Sequence, residues 1–139
     1  MRSAVVLDTP EARAAIVTAL RSGGFDVLET ATVEEALEWA HRCGPDLIIA
    51  NPLIDGIDTD EFTLALGVDP LIARMPVVFS ASTDDARGVW CLAEACDVAH
   101  IMVKPCEPEE IIRFVGEILG SAPDVGPIVP ARRSEREHV

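Results

Sequence analysis

Five short apolar segments recur along the 139-residue chain, and a helical stretch with one apolar face follows each of them. Alternation of this kind predicts βαβ units, in which the strands form one parallel sheet with helices on both faces. The segment 46–50 is apolar after its first residue, as is typical of a central strand buried on both faces. The sequence therefore predicts an α/β fold of three layers, with a doubly wound sheet of five strands.

Local signals set the limits of these elements. Thr9 and Pro10 suit an N-cap and a first-turn proline, and the residues from Thr32 to Glu35 match a capping box. A glycine pair at Gly23 ends the first helix. The strands are predicted at 4–7, 25–28, 46–50, 76–79 and 99–103, and the last helix at 109–119.

Length and charge limit the class of protein. The length fits one domain, and 49% hydrophobic with 25% charged residues is ordinary for a soluble fold. The 11 basic and 24 acidic residues give a net charge of -13, which argues against binding to nucleic acid or to an anionic membrane. Because no apolar run approaches the roughly 18 residues of a membrane span, we expect a cytoplasmic protein.

The four cysteines form no CxxC pair and have no zinc-ligand spacing, so we expect reduced thiols in the core and no structural metal. They are Cys43, Cys91, Cys96 and Cys106.

The composition changes near the end of the chain. Glycine, proline and serine accompany short apolar residues from Gly120 to Pro130, and the last nine residues are strongly charged. We therefore predict a folded domain over residues 1–119 and a Pro/Gly linker with a charged tail over 120–139. The tail is either frayed or forms the first turns of a helix that leads to a segment absent from this chain.

Polar side chains directly follow four of the predicted strands: Asp8, Asn51, Ser80 and Lys104. In a doubly wound sheet, ligands bind outside the carboxyl ends of the strands. We therefore expect these four side chains to meet at one cleft. Lys104 is the only lysine in the chain, whereas ten arginines carry the other positive charges.

Several short motifs surround these strand ends. They are Val-Leu-Asp8-Thr-Pro10-Glu-Ala-Arg13, Pro45-Asp46-Leu-Ile-Ile, Asp58, Pro76-Val-Val-Phe-Ser80-Ala and Lys104-Pro105 followed by Pro108-Glu-Glu110. In this combination, residues 4–119 resemble the receiver domain of two-component response regulators. The resemblance implies a flavodoxin-like fold with sheet order 2-1-3-4-5 and a signalling role that is not enzymatic.

Receiver domains accept a phosphoryl group on an aspartate after the third strand. Acidic residues after the first strand hold Mg²⁺, and a hydroxyl and a lysine bind the phosphoryl oxygens. On this resemblance, Asp8, Ser80 and Lys104 are remnants of the site, but the acceptor position is Asn51, whose amide is not a carboxylate nucleophile. Pro52 has no N–H to assist deamidation, so this residue should stay asparagine.

Two further positions depart from the family pattern. Leu7 and Asp8 stand where the family usually has two acids, so Asp8 is a doubtful metal ligand, Mg²⁺ should bind weakly at most, and no cofactor is expected. Ile101 stands at the position of the aromatic residue that moves inward on activation, and isoleucine cannot report the same switch.

The resemblance therefore implies a degenerate receiver, a pseudo-receiver that acts through protein contacts and is not phosphorylated at the usual position. The implied partner is a histidine kinase or another signalling protein, or an output domain on the same chain. The fourth helix, fifth strand and fifth helix form the surface that the family uses for docking or homodimerisation.

Alternatives remain open from the sequence. An active phosphorelay receiver would need another acceptor, of which Asp55 and Asp58 are the nearest candidates. A small-anion-binding module would use the cleft beside Lys104, where two negative charges have been lost. Ser82 competes with Ser80 for the hydroxyl position, and Lys104 could also serve only as an ion pair that stabilises the sheet edge.

Overall fold

A parallel sheet with strand order β2-β1-β3-β4-β5 forms the centre of the molecule. The structure, a computed structural model, describes residues 2–54 and 59–120. The strands are β1 Ser3–Leu7, β2 Asp26–Thr30, β3 Leu47–Ala50, β4 Val77–Ser82 and β5 His100–Lys104. Five parallel strands in this order confirm the predicted fold class and the strand order that the resemblance implied.

Five helices cover the two faces of the sheet. They are α1 Pro10–Ser22, α2 Val33–Cys43, α3 Thr59–Val68, α4 Ala86–Ala95 and α5 Pro108–Gly120, and a 3₁₀ turn lies at Ile72–Arg74. Helices α1 and α5 pack together on one face, and α2, α3 and α4 cover the other. None of the helices in the described ranges is both long and apolar enough to cross a membrane.

Strand residues supply the core on both sides of the sheet. Val5 and Leu7 belong to the cluster under α2, α3 and α4, whereas Ala4 and Val6 belong to the cluster under α1 and α5. Successive side chains of a strand point to opposite faces, so a strand that is covered on both sides has no position for a polar residue. This explains the continuous apolar run of β3.

The predicted capping box at the start of α2 is confirmed. The Thr32 hydroxyl accepts a hydrogen bond from the Glu35 N–H at 3.1 Å, and the Glu35 carboxylate accepts one from the Ala31 N–H at 2.9 Å. At α1, Thr9 is the N-cap residue as predicted, but its side chain makes no capping hydrogen bond. The first-turn proline is present at Pro10.

Two strands continue at least two residues beyond their predicted ends. β2 continues to Thr30, which pairs with Leu7 and donates its hydroxyl to the Val6 carbonyl at 3.0 Å. β4 continues to Ser82, which pairs with Lys104. Polar residues end the apolar run in both cases, but pairing with the neighbouring strand continues through them.

The prediction of core cysteines was wrong. All four thiols are free, but Cys43 and Cys91 are exposed, and Cys96 and Cys106 are only half-buried. The predicted helix boundary at residue 119 was short by one residue, because α5 includes Gly120. The rest of the predicted linker and tail, residues 121–139, lies outside the described residues.

An acidic residue links α2 to the segment after α3. Asp69 Oδ2 lies 2.6 Å from His41 Nε2, and Asp69 Oδ1 accepts hydrogen bonds from the N–H groups of Leu71 and Ile72. Desolvation raises the pKa of Asp69, but the Ile72 N–H, His41 and the Leu71 N–H lower it by more, so it lies below the ordinary value of 3.8.

Replacing Asp69 with asparagine should therefore have a pH-dependent cost. A carboxylate with a lowered folded-state pKa stabilises the fold above its unfolded-state pKa, and this contribution disappears as the pH falls through the folded-state pKa. The stability difference between wild type and Asp69→Asn should shrink as the pH falls below about 4, where the Asp69 carboxylate becomes protonated. Urea denaturation across pH measures it, with exposed Asp84→Asn as the control. A difference that does not change with pH would contradict the prediction.

Candidate functional site

Four neighbouring strands bring the polar residues together at their carboxyl ends. Asp8 directly follows β1, Asn51 directly follows β3, Ser80 lies within β4 and Lys104 ends β5. Because β1, β3, β4 and β5 are adjacent in the sheet, these side chains come within hydrogen-bonding distance of one another. We call these four residues the Asp8 cluster.

The Asp8 carboxylate is the centre of the cluster, and its side chain is fully buried. Oδ1 accepts hydrogen bonds from the Thr9 N–H at 2.7 Å, Asn51 Nδ2 at 3.0 Å and Lys104 Nζ at 3.1 Å. Oδ2 accepts from Ser80 Oγ at 2.8 Å and Lys104 Nζ at 2.9 Å. Two oxygens offer about four lone-pair sites, so these donors use the full accepting capacity of the carboxylate.

Lys104 supplies the positive charge that allows this carboxylate to be buried. Its ammonium contacts both Asp8 oxygens, and 17% of its side chain is exposed. A buried carboxylate without such a partner would be strongly unfavourable. The backbone carbonyl of Lys104 also accepts a hydrogen bond from the Thr83 hydroxyl at 3.2 Å, which joins the β4–α4 connection to β5.

Both ends of the Asn51 amide are engaged. Nδ2 donates to Asp8, and Oδ1 accepts from the Leu53 N–H at 2.9 Å, so the side chain also holds the turn after β3. An aspartate in this orientation would place a carboxylate oxygen where Asn51 now offers a donor to Asp8. Asparagine is therefore a bonding partner of Asp8, whereas a second carboxylate would repel it.

The structure places Ser80, and not Ser82, in the Asp8 cluster. Ser80 is fully buried and donates to Asp8. Ser82 is half-buried, and its hydroxyl accepts a hydrogen bond from the Asp85 N–H at the start of α4. The two serines are two residues apart on β4, and only Ser80 reaches the carboxylate.

Two other positions, at which the resemblance implied functional side chains, are apolar and buried. Leu7, where the resemblance implied an acid, has no exposed surface and packs in the core cluster with Val33 and Phe62. Ile101, where it implied a switch residue, is 4% exposed in the same cluster. Neither side chain adds a polar group to the cleft.

The residues present do not fit Mg²⁺. Magnesium requires several hard oxygen ligands, and the cluster offers one carboxylate that already accepts five hydrogen bonds from four donor groups, including an ammonium. Across residues 2–54 and 59–120, no group of three or more His, Cys, Asp or Glu is placed to hold a metal ion. The alternative acceptors Asp55 and Asp58 lie outside the described residues.

Sequence reasoning missed the contributions of backbone groups to this site. The N–H groups of Thr9 and Leu53 fix the orientations of Asp8 and Asn51, and the Thr83 hydroxyl braces Lys104. The Asn51-Pro52 pair is a turn signal, and asparagine often accepts from an N–H two residues ahead, so the contact with Leu53 had a readable signal. The other two contacts had none.

Comparison with known proteins identifies the fold. No protein-family model matches the chain, and no curated protein matches it in sequence. Among solved structures, the chemotaxis response regulator CheY4 of Vibrio cholerae superposes with a TM-score of 0.73 at 21% identity, covering 86% of this chain and 99% of that one. A response regulator from Desulfuromonas acetoxidans gives 0.70 at 23%, covering 86% and 98%.

A third similar structure is a domain of a histidine kinase. The signal receiver domain of a histidine kinase from Syntrophus aciditrophicus gives a TM-score of 0.73 at 21% identity, covering 94% of this chain and 99% of that one. These likenesses show that the chain has the receiver-domain fold over its described length.

Proposed function

We propose that this chain is a receiver-type signalling domain of a two-component or phosphorelay pathway that is not phosphorylated at the usual position and acts through protein contacts. The observation that carries the proposal is the Asp8 cluster, in which Asn51 donates to a buried carboxylate and Lys104 is paired with it.

The chemistry of the cluster supports this. Phosphoryl transfer to a receiver needs a carboxylate nucleophile and positive charge directed at the incoming group. Asn51 supplies no nucleophile, and the Lys104 ammonium contacts both oxygens of Asp8. The hydroxyl of Ser80 is likewise directed at Asp8. Each group that would stabilise a phosphoryl oxygen is already used within the protein.

The similar structures suggest the setting. They include a free chemotaxis regulator and a receiver domain of a histidine kinase, so the partner is a kinase, another signalling protein or an output domain on the same chain. The docking face is the one formed by α4, β5 and α5, through which a homodimer is also possible in this fold. Binding by a small anion is less well supported, because the charge of Lys104 is neutralised by Asp8.

Phosphorylation chemistry tests the proposal directly. Wild type incubated with acetyl phosphate and Mg²⁺ should gain no phosphoryl mass in intact-mass spectrometry, and its amide NMR spectrum should not respond to Mg²⁺ and beryllofluoride at the Asp8 cluster. Asn51→Asp restores a nucleophile, so labelling at position 51 in that variant would place the defect there. A phosphorylatable receiver from another protein controls the reagents.

Two results would overturn the proposal. Phosphorylation of wild type that maps to Asp55 or Asp58 would support the active phosphorelay alternative. Beryllofluoride-dependent shifts of Asp8, Ser80 and Lys104 in wild type would mean that the cluster still opens to a phosphoryl group.

A further inference from the structure

A pocket lies between the start of α1 and the β5–α5 connection, at the same edge of the sheet as the Asp8 cluster. We call it the α1–β5 pocket. Its volume is about 430 Å³, within the range of roughly 300–1,000 Å³ that is typical of small-molecule sites. Lys104 is the one member of the Asp8 cluster that lines it. The pocket is therefore a neighbour of the cluster and has its own set of side chains.

The inner wall of the pocket is apolar. It is formed by Ile16 of α1, Met102 of β5 and Ile111 of α5, which are buried in the core cluster under α1 and α5. On the α1 side the lining residues are Ala12 and Ala15, each with a single methyl group. These small side chains leave room for an apolar group, which would be removed from water on contact with the inner wall.

The charge around the pocket is negative in sum. Glu11 lines it with an exposed side chain. Burial raises the pKa of the Cys106 thiol, another lining group, and the nearby Glu110 carboxylate raises it further. The ammonium of Lys104 acts in the opposite direction on this thiol, but it is paired with Asp8. Since Asp8 neutralises Lys104, the carboxylates of Glu11 and Glu110 give the pocket a negative potential.

We infer that the α1–β5 pocket binds a compact organic cation, a primary amine that carries one aryl or branched alkyl group. The apolar group contacts Met102 and Ile111, and the ammonium lies at the rim beside Glu11 and the Thr9 hydroxyl, which makes no capping hydrogen bond. An ammonium donates three hydrogen bonds and accepts none, so it suits a rim of carboxylate and hydroxyl oxygens. The two carboxylates repel an organic anion of the same shape.

The inference goes beyond the proposed function and does not rest on it. Asp8, Asn51 and Ser80 contribute nothing to the lining of the pocket. Phosphorylation at the usual position and amine binding are therefore separate measurements, and the failure of one leaves the other standing.

Methionine methyl groups report on the pocket. Met102 lines it, whereas Met75 directly follows the 3₁₀ turn at the opposite edge of the sheet and serves as the internal reference. In NMR spectra of the full chain with labelled methionine methyl groups, phenethylamine should shift the Met102 signal and leave the Met75 signal unchanged. Phenethyl alcohol, a neutral analogue, should bind about twofold to fivefold more weakly, the difference expected for an exposed ion pair. The anion phenylpropionate should bind more weakly still.

Two pairs of variants locate the site. Ala15→Phe fills the pocket from α1 and should abolish the Met102 shift, whereas Ala14→Phe adds the same side chain at an exposed position outside the pocket and should not. Glu11→Gln should weaken phenethylamine binding about twofold to fivefold and leave phenethyl alcohol binding unchanged. Glu34→Gln removes the same charge from the first turn of α2, on the other face of the sheet, and should change neither affinity.

Any of four outcomes contradicts the inference. Absence of a Met102 shift with all three probes would mean that the pocket takes no such ligand. An affinity for phenethyl alcohol or phenylpropionate that equals or exceeds that for phenethylamine would rule out selection of a cation. Equal binding by Ala15→Phe and Ala14→Phe would place the amine elsewhere. A Met102 signal that moves with protein concentration alone would mean that a second copy occupies the pocket.

Discussion

Lys104→Met is expected to lower the free energy of unfolding by about 3–5 kcal/mol, the usual cost of removing one partner from a buried ion pair. The substitution keeps most of the apolar stem of the side chain but leaves the fully buried Asp8 carboxylate without a cation. Thr9, Asn51 and Ser80 would still donate to it, but neutral donors do not compensate a buried charge. Urea denaturation followed by tryptophan fluorescence measures the change.

Two controls separate this effect from a general loss of positive charge. Arg87→Met removes the same charge from an exposed position on α4 and should change stability by no more than about 0.5 kcal/mol. Asp8→Asn combined with Lys104→Met removes both charges and should recover part of the loss, since the two effects are coupled. Equal costs for Lys104→Met and Arg87→Met would contradict the role of Lys104 in holding the buried Asp8 charge.

The fold was predictable because its determinants are local. Continuous apolar runs identified the strands, and the capping box from Thr32 to Glu35 set the start of α2. The ends of β2 and β4 were missed because pairing with β1 and β5 continues through polar residues such as Thr30 and Ser82. The register of a strand against its neighbour depends on tertiary contacts, and the residue types of the strand alone do not specify it.

The cluster was partly predictable for a related reason. Asp8, Asn51 and Lys104 each stand where an apolar run ends, and parallel strands place those ends together. The choice between Ser80 and Ser82 required the structure, because the predicted end of β4 fell at residue 79. Two backbone N–H groups orient the site, those of Thr9 and Leu53. The Asn51-Pro52 turn signal indicates the second, whereas the first leaves no residue-type signal.

Leu7→Asp is expected to destabilise the protein more than Leu7→Ala, which should itself cost about 2–5 kcal/mol. Leu7 has no exposed surface and packs in the core cluster, so an aspartate there would leave a cavity and an unpaired buried carboxylate. Since the resemblance to receiver domains places an acid at this position, the substitution tests whether the acidic pair can be restored. Urea denaturation with and without Mg²⁺ measures both effects.

The outcome also decides whether an acid at position 7 can contribute to a metal site. If Leu7→Asp is less stable than Leu7→Ala and Mg²⁺ has no effect, position 7 belongs to the core and does not present an acid to the cleft. The packing around Leu7 then accepts only an apolar side chain. If Mg²⁺ stabilises Leu7→Asp, or if the variant is more stable than Leu7→Ala, the new carboxylate reaches the cleft beside Asp8. In that case one substitution separates this cluster from a metal site, and Asn51 is the barrier to phosphorylation that remains in Leu7→Asp.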